Sequence, residues 1–436
     1  MKGVKSVTAR FSAFALRLFW YFVAGITGIW NMVLQAQSPE WIVWKQGDQG
    51  FQNEALSSVV VAPTDEVWVG SAGGVGLFNG TQWIWYTQGN SGLPDNAVLS
   101  VAVDRSGHKW FGMWSGGVAR FDGLHWTVYN KDNAPLLNNW IATIAIDSLG
   151  KIWLGGWGVG IARFDGVNWT VYHKDNSALP ENDVNDIAVD PRNHVWAGTR
   201  FSGAVEFDGS TWTVYNTGNS GIPDNYMVRV VAVDPQGAVW FGTELRGVAK
   251  FDGSTWTAYN IGNSGLPDNN VAAIAFDHQG NAWIGTPKGL AKFDGNQWIV
   301  YTAENSPLPT NEISDLFVDR WDNKWIATHS GLAVYREGGV IITDVAEQQS
   351  RSCQAAVSVD PRFRALILTV EIEKPASIRL QLYNLRGQKV HQFSAQEHFQ
   401  GRYHFTIPVS TLPSGVYGYR LQIGTQGFSG VIPLVR

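Results

Sequence analysis

Seven short segments differ from one another while the sequence around them repeats, and they carry side chains able to do chemistry. They read SAGG (71–74), MWSGG (113–117), GWGVG (156–160), TRFSG (199–203), TELRG (243–247), TPKG (286–289) and THSG (328–331). Within them stand Trp114, Trp157, Phe201, Arg200, Glu244, Arg246, Lys288 and His329, while Trp140 and Tyr226 lie near the ends of two longer loops. Flat aromatic rings beside cations and carboxylates suit a sugar chain, because rings cover pyranose C–H faces and fixed polar groups orient hydroxyls. The same rings could instead plug a channel mouth or pack one repeat on the next. These ten residues form the candidate ligand-binding set, with an extracellular glycan or a surface protein as partner.

Acid–base and metal chemistry find less support. Nine His residues are scattered without the spacing that puts two ligands on one helix face, and no cofactor motif appears. His329 with Glu244 or Asp315 is the one acid–base pair the order of residues allows. Asp104, Asp147, Asp190, Asp234, Asp277 and Asp319 each precede a tight turn, which Asp caps by bonding backbone two residues on. A calcium site built on such turns lacks the ligand count it needs. No catalytic residue, metal ligand or cofactor is therefore assigned.

The elements that must position these loops follow from a period. Trp68, Trp110, Trp153, Trp196, Trp240, Trp283 and Trp325 are separated by 42, 43, 43, 44, 43 and 42 residues. Each unit holds four short runs of strand type: an outer "WTAY", an apolar "VAAIAFD", then "NAWIGT" and "GLAKFD" in the copy at 256–295. The apolar run reads as an inner strand buried on both faces. Seven units of this kind predict an all-β, seven-bladed propeller of four-stranded blades, with the repeated Trp residues packing blade on blade. The last unit lacks its outer Trp, so either 41–46 ("WIVWKQ") returns to complete blade seven or 340–343 does. The N-terminal strand matches the other outer strands better.

Composition fits this reading. The net charge of −5 without a basic stripe gives nucleic acid no support, and the single cysteine, Cys353, excludes an intramolecular disulfide. Residues 1–37 carry a basic lead (Lys2, Lys5, Arg10, Arg17), an apolar run and Ala36, the order of a signal peptide. The propeller is expected over 38–343 and a polar linker over 344–354. A second β-rich domain, a small sandwich, is expected over 355–436.

The repeats resemble the two-component regulator propeller family, through "NSGLPDN" at 90–96 and 263–269, "NSGIPDN" at 219–225 and the run 242–253. That resemblance covers about 41–340 and implies a sensory, glycan-binding module. No second propeller, membrane span or kinase segment is read after the array, so signalling by this chain is not expected. The C-terminal region resembles the type A sorting domain of type IX secretion found in Bacteroidetes, through "LYNLRGQKV" (382–390), "LPSGVYGYRL" (412–421) and "VIPLVR". It implies passage through the outer membrane by the type IX machinery, then release or surface attachment. A more distant resemblance to streptogramin lyases implies a metal and a His at the channel mouth, where only His329 is placed.

Overall fold

The computed structural model describes residues 39–342 apart from 53–54 and 124. It also describes 353–434 apart from 361–364, 373–375, 385–387, 399–400, 410 and 424–425. The segment read as a signal peptide and residues 344–352 of the linker lie outside the described residues. Seven four-stranded antiparallel sheets follow one another along 41–335. Blades one to six span 56–86, 98–129, 143–172, 184–215, 228–259 and 273–301.

Blade seven takes Ile313–Val318, Lys324–Thr328 and Gly331–Tyr335 from its own repeat and Trp41–Trp44 from the start of the array. Trp41 pairs with Tyr335 and Trp44 with Leu332. Trp44 is 4% exposed, stacks on Trp325 of blade seven at 5.9 Å and meets Phe78 of blade one at 5.2 Å. One residue thus seals the seam where the ring's two ends meet. Residues 340–342 form no strand; the Val340 amide instead donates to the Pro39 carbonyl.

Packing between blades explains the repeated residues. Trp153 of blade three is buried against Val184, Ile187, Ala197 and Phe207 of blade four, and Trp240 of blade five against Ile274, Ile284 and Phe293 of blade six and Val271 just ahead of it. A buried indole N–H needs an acceptor. The turn Asp supplies it: Asp104, Asp147, Asp190, Asp234, Asp277 and Asp319 accept from the Trp six residues on at 2.8–3.4 Å. Their other oxygen caps the turn, as Asp104 does for the amides of Ser106 and His108. The glycine two residues after the Trp in blades one to six, replaced by Ala327 in blade seven, answers to close approach. At Gly242 a β-carbon would lie 2.5–2.6 Å from methyl groups of Val230 and Val271.

The innermost strands differ from expectation in one respect. They are not covered on both faces: in Val184–Val189 only Val184 and Ile187 are buried and the other four are half-buried, because one side lines the central channel. The C-terminal region forms a three-stranded sheet (Cys353–Asp360, Ala365–Ile372, Gly401–Pro408) and a four-stranded one (Ala376–Tyr383, Lys389–His398, Gly415–Ile423, Gln426–Leu434). Leu366, Leu368, Val370 and Ile407 of the first share a core with Ile378, Leu380, Leu382 and Leu421 of the second, which makes the unit a sandwich. Its first strand starts at Cys353, two residues ahead of the expected boundary.

Candidate functional site

Two sets of loops meet at one end of the channel. The long loops between blades are shaped by their own Asn side chains. Asn263 accepts from the Asn260 amide and Asn269 from the Ile261 amide, and Leu266 is buried beneath them. The short tips are then tied to these loops. The amides of Gly117, Gly160, Gly203 and Gly247 donate to the carbonyls of Asn139, Asn182, Asn225 and Asn269 at 2.9–3.1 Å. A tip of one blade and the loop leading to the next therefore move as one surface, which suits a site built from both.

Six of the ten candidate residues form a continuous ladder. Trp140 lies between Trp114 and Trp157, with ring centroids 4.1 and 4.2 Å apart. The Arg200 guanidinium covers Trp157 at 3.9 Å and Phe201 at 4.9 Å, and Phe201 meets Tyr226 at 5.8 Å. The Trp157 indole donates to Asn185 on the inner strand of blade four, fixing the ladder to the channel wall. This arrangement consumes ring faces: Trp140 is covered from both sides, and Trp157 by Trp140 and Arg200. Trp114 (52% exposed), Phe201 (55%) and Tyr226 (40%) keep open surface at the two ends.

The remaining four stand apart. Arg246 and Lys288 each face a carboxylate of the preceding loop, Asp224 at 4.0 Å and Asp268 at 2.9 Å. Burial opposes ionisation of Asp268, yet the bond from the Asn270 amide and the Lys288 ammonium hold its carboxyl below the usual range. Glu244 contributes its amide to the Met227 carbonyl. His329 pairs through Nδ1 with Glu312 at 3.0 Å, both half exposed. The pairs His329 with Glu244 or with Asp315 are not assembled, because Asp315 is turned into the channel wall.

A cavity of about 660 Å³ opens at the mouth beneath these tips. Trp114 and His329 line it, together with Arg229, Asn270, Glu312, Ser57 and Ser314, none of which stood among the candidates. Arg229 is half-buried, donates to Asn270 at 3.1 Å and has no ion pair among the described residues. Its signal in the sequence was a charge at the second position of the inner run "VRVVAV", where other blades carry Ser57, Leu99, Ala142, Asn185, Ala272 or Ser314.

Below the mouth, a belt of side chains joins neighbouring blades. Asp186 accepts from the Val231 amide of blade five at 2.8 Å, from Thr143 of blade three at 2.7 Å and from its neighbour Ile187 at 2.9 Å. Asp315 accepts from the Val59 amide of blade one at 2.8 Å. Burial pushes each carboxyl up to about 6, against the pull of these bonds, and the charge of Asp186 adds to the shift of Asp315. Among the described residues no group of three or more His, Cys, Asp or Glu is placed to hold a metal.

Comparison with known proteins agrees with this architecture. Residues 365–430 match the family model of the secretion system C-terminal sorting domain, and residues 178–201 and 265–288 match the two component regulator propeller. Among solved structures, an extracellular domain from B. thetaiotaomicron assigned to a hybrid two component system matches with TM-score 0.60 and 19% identity, over 91% of this chain and 57% of that one. PorZ, a bacterial surface component of the type-IX secretion system of Porphyromonas gingivalis, matches with TM-score 0.52 and 18% identity, over 89% of this chain and 60% of that one. Virginiamycin B lyase from Staphylococcus aureus in its complex with quinupristin matches with TM-score 0.56 and 16% identity, over 67% of this chain and 98% of the lyase. The chain thus spans less than two thirds of the first two structures, and at these identities the likeness is one of fold. No curated protein matches. Seven blades, in which 178–201 and 265–288 match the two component regulator propeller, are thus followed by a region that matches a secretion sorting domain, and that match implies export to the cell surface or the medium.

Proposed function

We propose that this exported propeller is a non-catalytic receptor for glycans, which it takes at the channel mouth. The observation that carries the reading is the mouth cavity itself, where the open face of Trp114 stands beside Arg229, Asn270, Glu312 and His329. An apolar plate with a few convergent polar groups is the composition of a small-ligand site, and hydroxyl-rich rings suit that mixture. Trp140 and Trp157 serve by holding Trp114 and Arg200 in place, since their faces are already covered.

The test is a glycan array probed with the folded chain and with Trp114→Ala. Trp114 ends the ladder and is half exposed, so its loss is expected to cost at least about tenfold in affinity while the ring stays folded. Equal binding by the variant, or a folded parent that captures no glycan, would sink the reading. A second reading rests on the far end of the ladder, where Phe201, Tyr226 and Leu245 leave 40–55% of their surfaces open. Such a patch suits adhesion to a protein, which predicts indifference to Trp114→Ala and sensitivity to Phe201→Ser.

A further inference from the structure

A second site lies away from the mouth, and the repeat reveals it by a broken rule. Each blade Trp faces a cross-strand partner, and four of those partners are cations: Arg120 opposite Trp110, Arg163 opposite Trp153, Lys250 opposite Trp240 and Lys292 opposite Trp283. Their charges lie 5.1–5.8 Å from the ring centroids. Lys250 also sits 3.1 Å from Asp234, the carboxylate that caps its blade's turn. Blade one has Leu77 there, but Lys109 arrives from blade two to lie 5.3 Å from the Trp68 ring. Blade seven has Val334, and its Trp325 is stacked on Trp44 instead.

Blade four breaks the pattern. Opposite Trp196 stands Glu206, a carboxylate where four other blades place a cation. A groove of about 590 Å³ opens here between blades four and five, lined by Trp196, Glu206, Tyr215, Asp190, Arg192 and Phe251 among others. Glu206 is pinned from both sides: His194 Nδ1 lies 2.7 Å from one oxygen, and the Tyr215 hydroxyl donates to the other at 2.8 Å. The Tyr215 hydroxyl is itself held well above its usual range by burial and by Glu206. Arg192 is committed to Asp190 at 2.7 Å and points largely into solvent. Asp252 adds a further carboxylate to the wall. The groove therefore carries the carboxylate and aromatic wall of the other blades' cation sites, yet among the described residues no Lys or Arg lies over the Trp196 ring as one does over Trp110, Trp153, Trp240 and Trp283.

We propose that this groove receives an organic cation from outside: the ammonium or guanidinium of a Lys or Arg side chain on a partner chain, seated against Glu206 beside Trp196. The chain's own repeats supply the template, since ammonium (Lys250, Lys292) and guanidinium (Arg120, Arg163) both occupy the equivalent place. The site does not depend on what the mouth binds.

The experiment titrates N-acetyl-lysine methylamide into the full chain, with N-acetyl-norleucine methylamide as the uncharged control. The reporter is the Trp196 indole N–H resonance, which belongs to a group bonded to Asp190. A saturable shift is expected for the lysine compound alone. Glu206→Gln, which keeps the side chain's shape and removes its charge, is expected to weaken it about fivefold. Glu206→Lys should abolish it, because the protein's own amine then fills the groove. No shift with the lysine compound, equal shifts with both compounds, or undiminished binding by a folded Glu206→Gln variant would each overturn the proposal.

Discussion

Asp186→Asn tests the channel belt most sharply, because its effect should change sign with pH. The folded chain holds the Asp186 carboxyl near a pKa of about 6, above the ordinary 3.8. Between those values the folded state binds the extra proton, so stability is fullest below 3.8 and is lost as pH rises through about 6. The difference of roughly two units is worth about 3 kcal/mol at neutral pH. Asn cannot ionise and escapes that loss, but its hydrogen bonds are not equivalent. With its oxygen toward the Val231 amide, its NH₂ can donate to Thr143, and the Ile187 amide keeps the Thr143 hydroxyl at 3.3 Å while losing the side-chain acceptor it has now. That lost bond costs about 1 kcal/mol at any pH. The variant should therefore be less stable than the parent by about 0.5 kcal/mol at pH 4, equal near pH 4.5, and more stable by about 2 kcal/mol at pH 8. Urea unfolding of both proteins across that range measures the crossing. Parallel profiles would refute the reasoning, because they would mean that the channel leaves Asp186 as well solvated as an unfolded carboxylate.

Three further outcomes follow from packing. Trp44→Ala opens the seam between blades seven and one and removes a buried ring, so it should cost about 3–5 kcal/mol in unfolding experiments. Trp140→Ala should cost less, about 1–2 kcal/mol, because the residue is half-buried, but it removes the middle of the ladder. Raised amide exchange at the 113–117 and 156–160 tips, with the inner strands unchanged, would identify that loosening. Asp234→Ala takes the acceptor from the Trp240 indole, the cap from the amides of Gln236 and Ala238, and the partner from Lys250. A loss of about 2–4 kcal/mol in denaturant unfolding is expected, since a buried N–H is left without an acceptor.

Much of the fold could be read without coordinates. A Trp every 42–44 residues, with four strand-type runs between, already specifies seven four-stranded blades, because one such sheet cannot bury both faces alone. The motifs at 382–390 and 412–421 likewise identified the sorting domain through its strand and turn residues. The inner strands were harder: an apolar run looks the same whether both faces are covered or one borders a channel, and only ring closure leaves that side open.

Other features belong to tertiary structure alone. The match of 41–46 to the other outer strands favoured it over 340–343, but its pairing with Gly331–Tyr335, across about 290 residues of sequence, forms only when the ring closes. The candidate aromatics were recognisable as a set, but not their mutual stacking. Trp114, Trp140 and Trp157 meet because tips of neighbouring blades converge, and that contact covers the rings that appeared free in the sequence. Arg229, Asp186 and Asp315 were single polar residues in apolar runs until the ring turned them toward one channel, where solvent is scarce and charge is costly. Sequence repetition determined what each blade is; the closing of the ring decided which side chains face each other, because those contacts run between repeats and not along them.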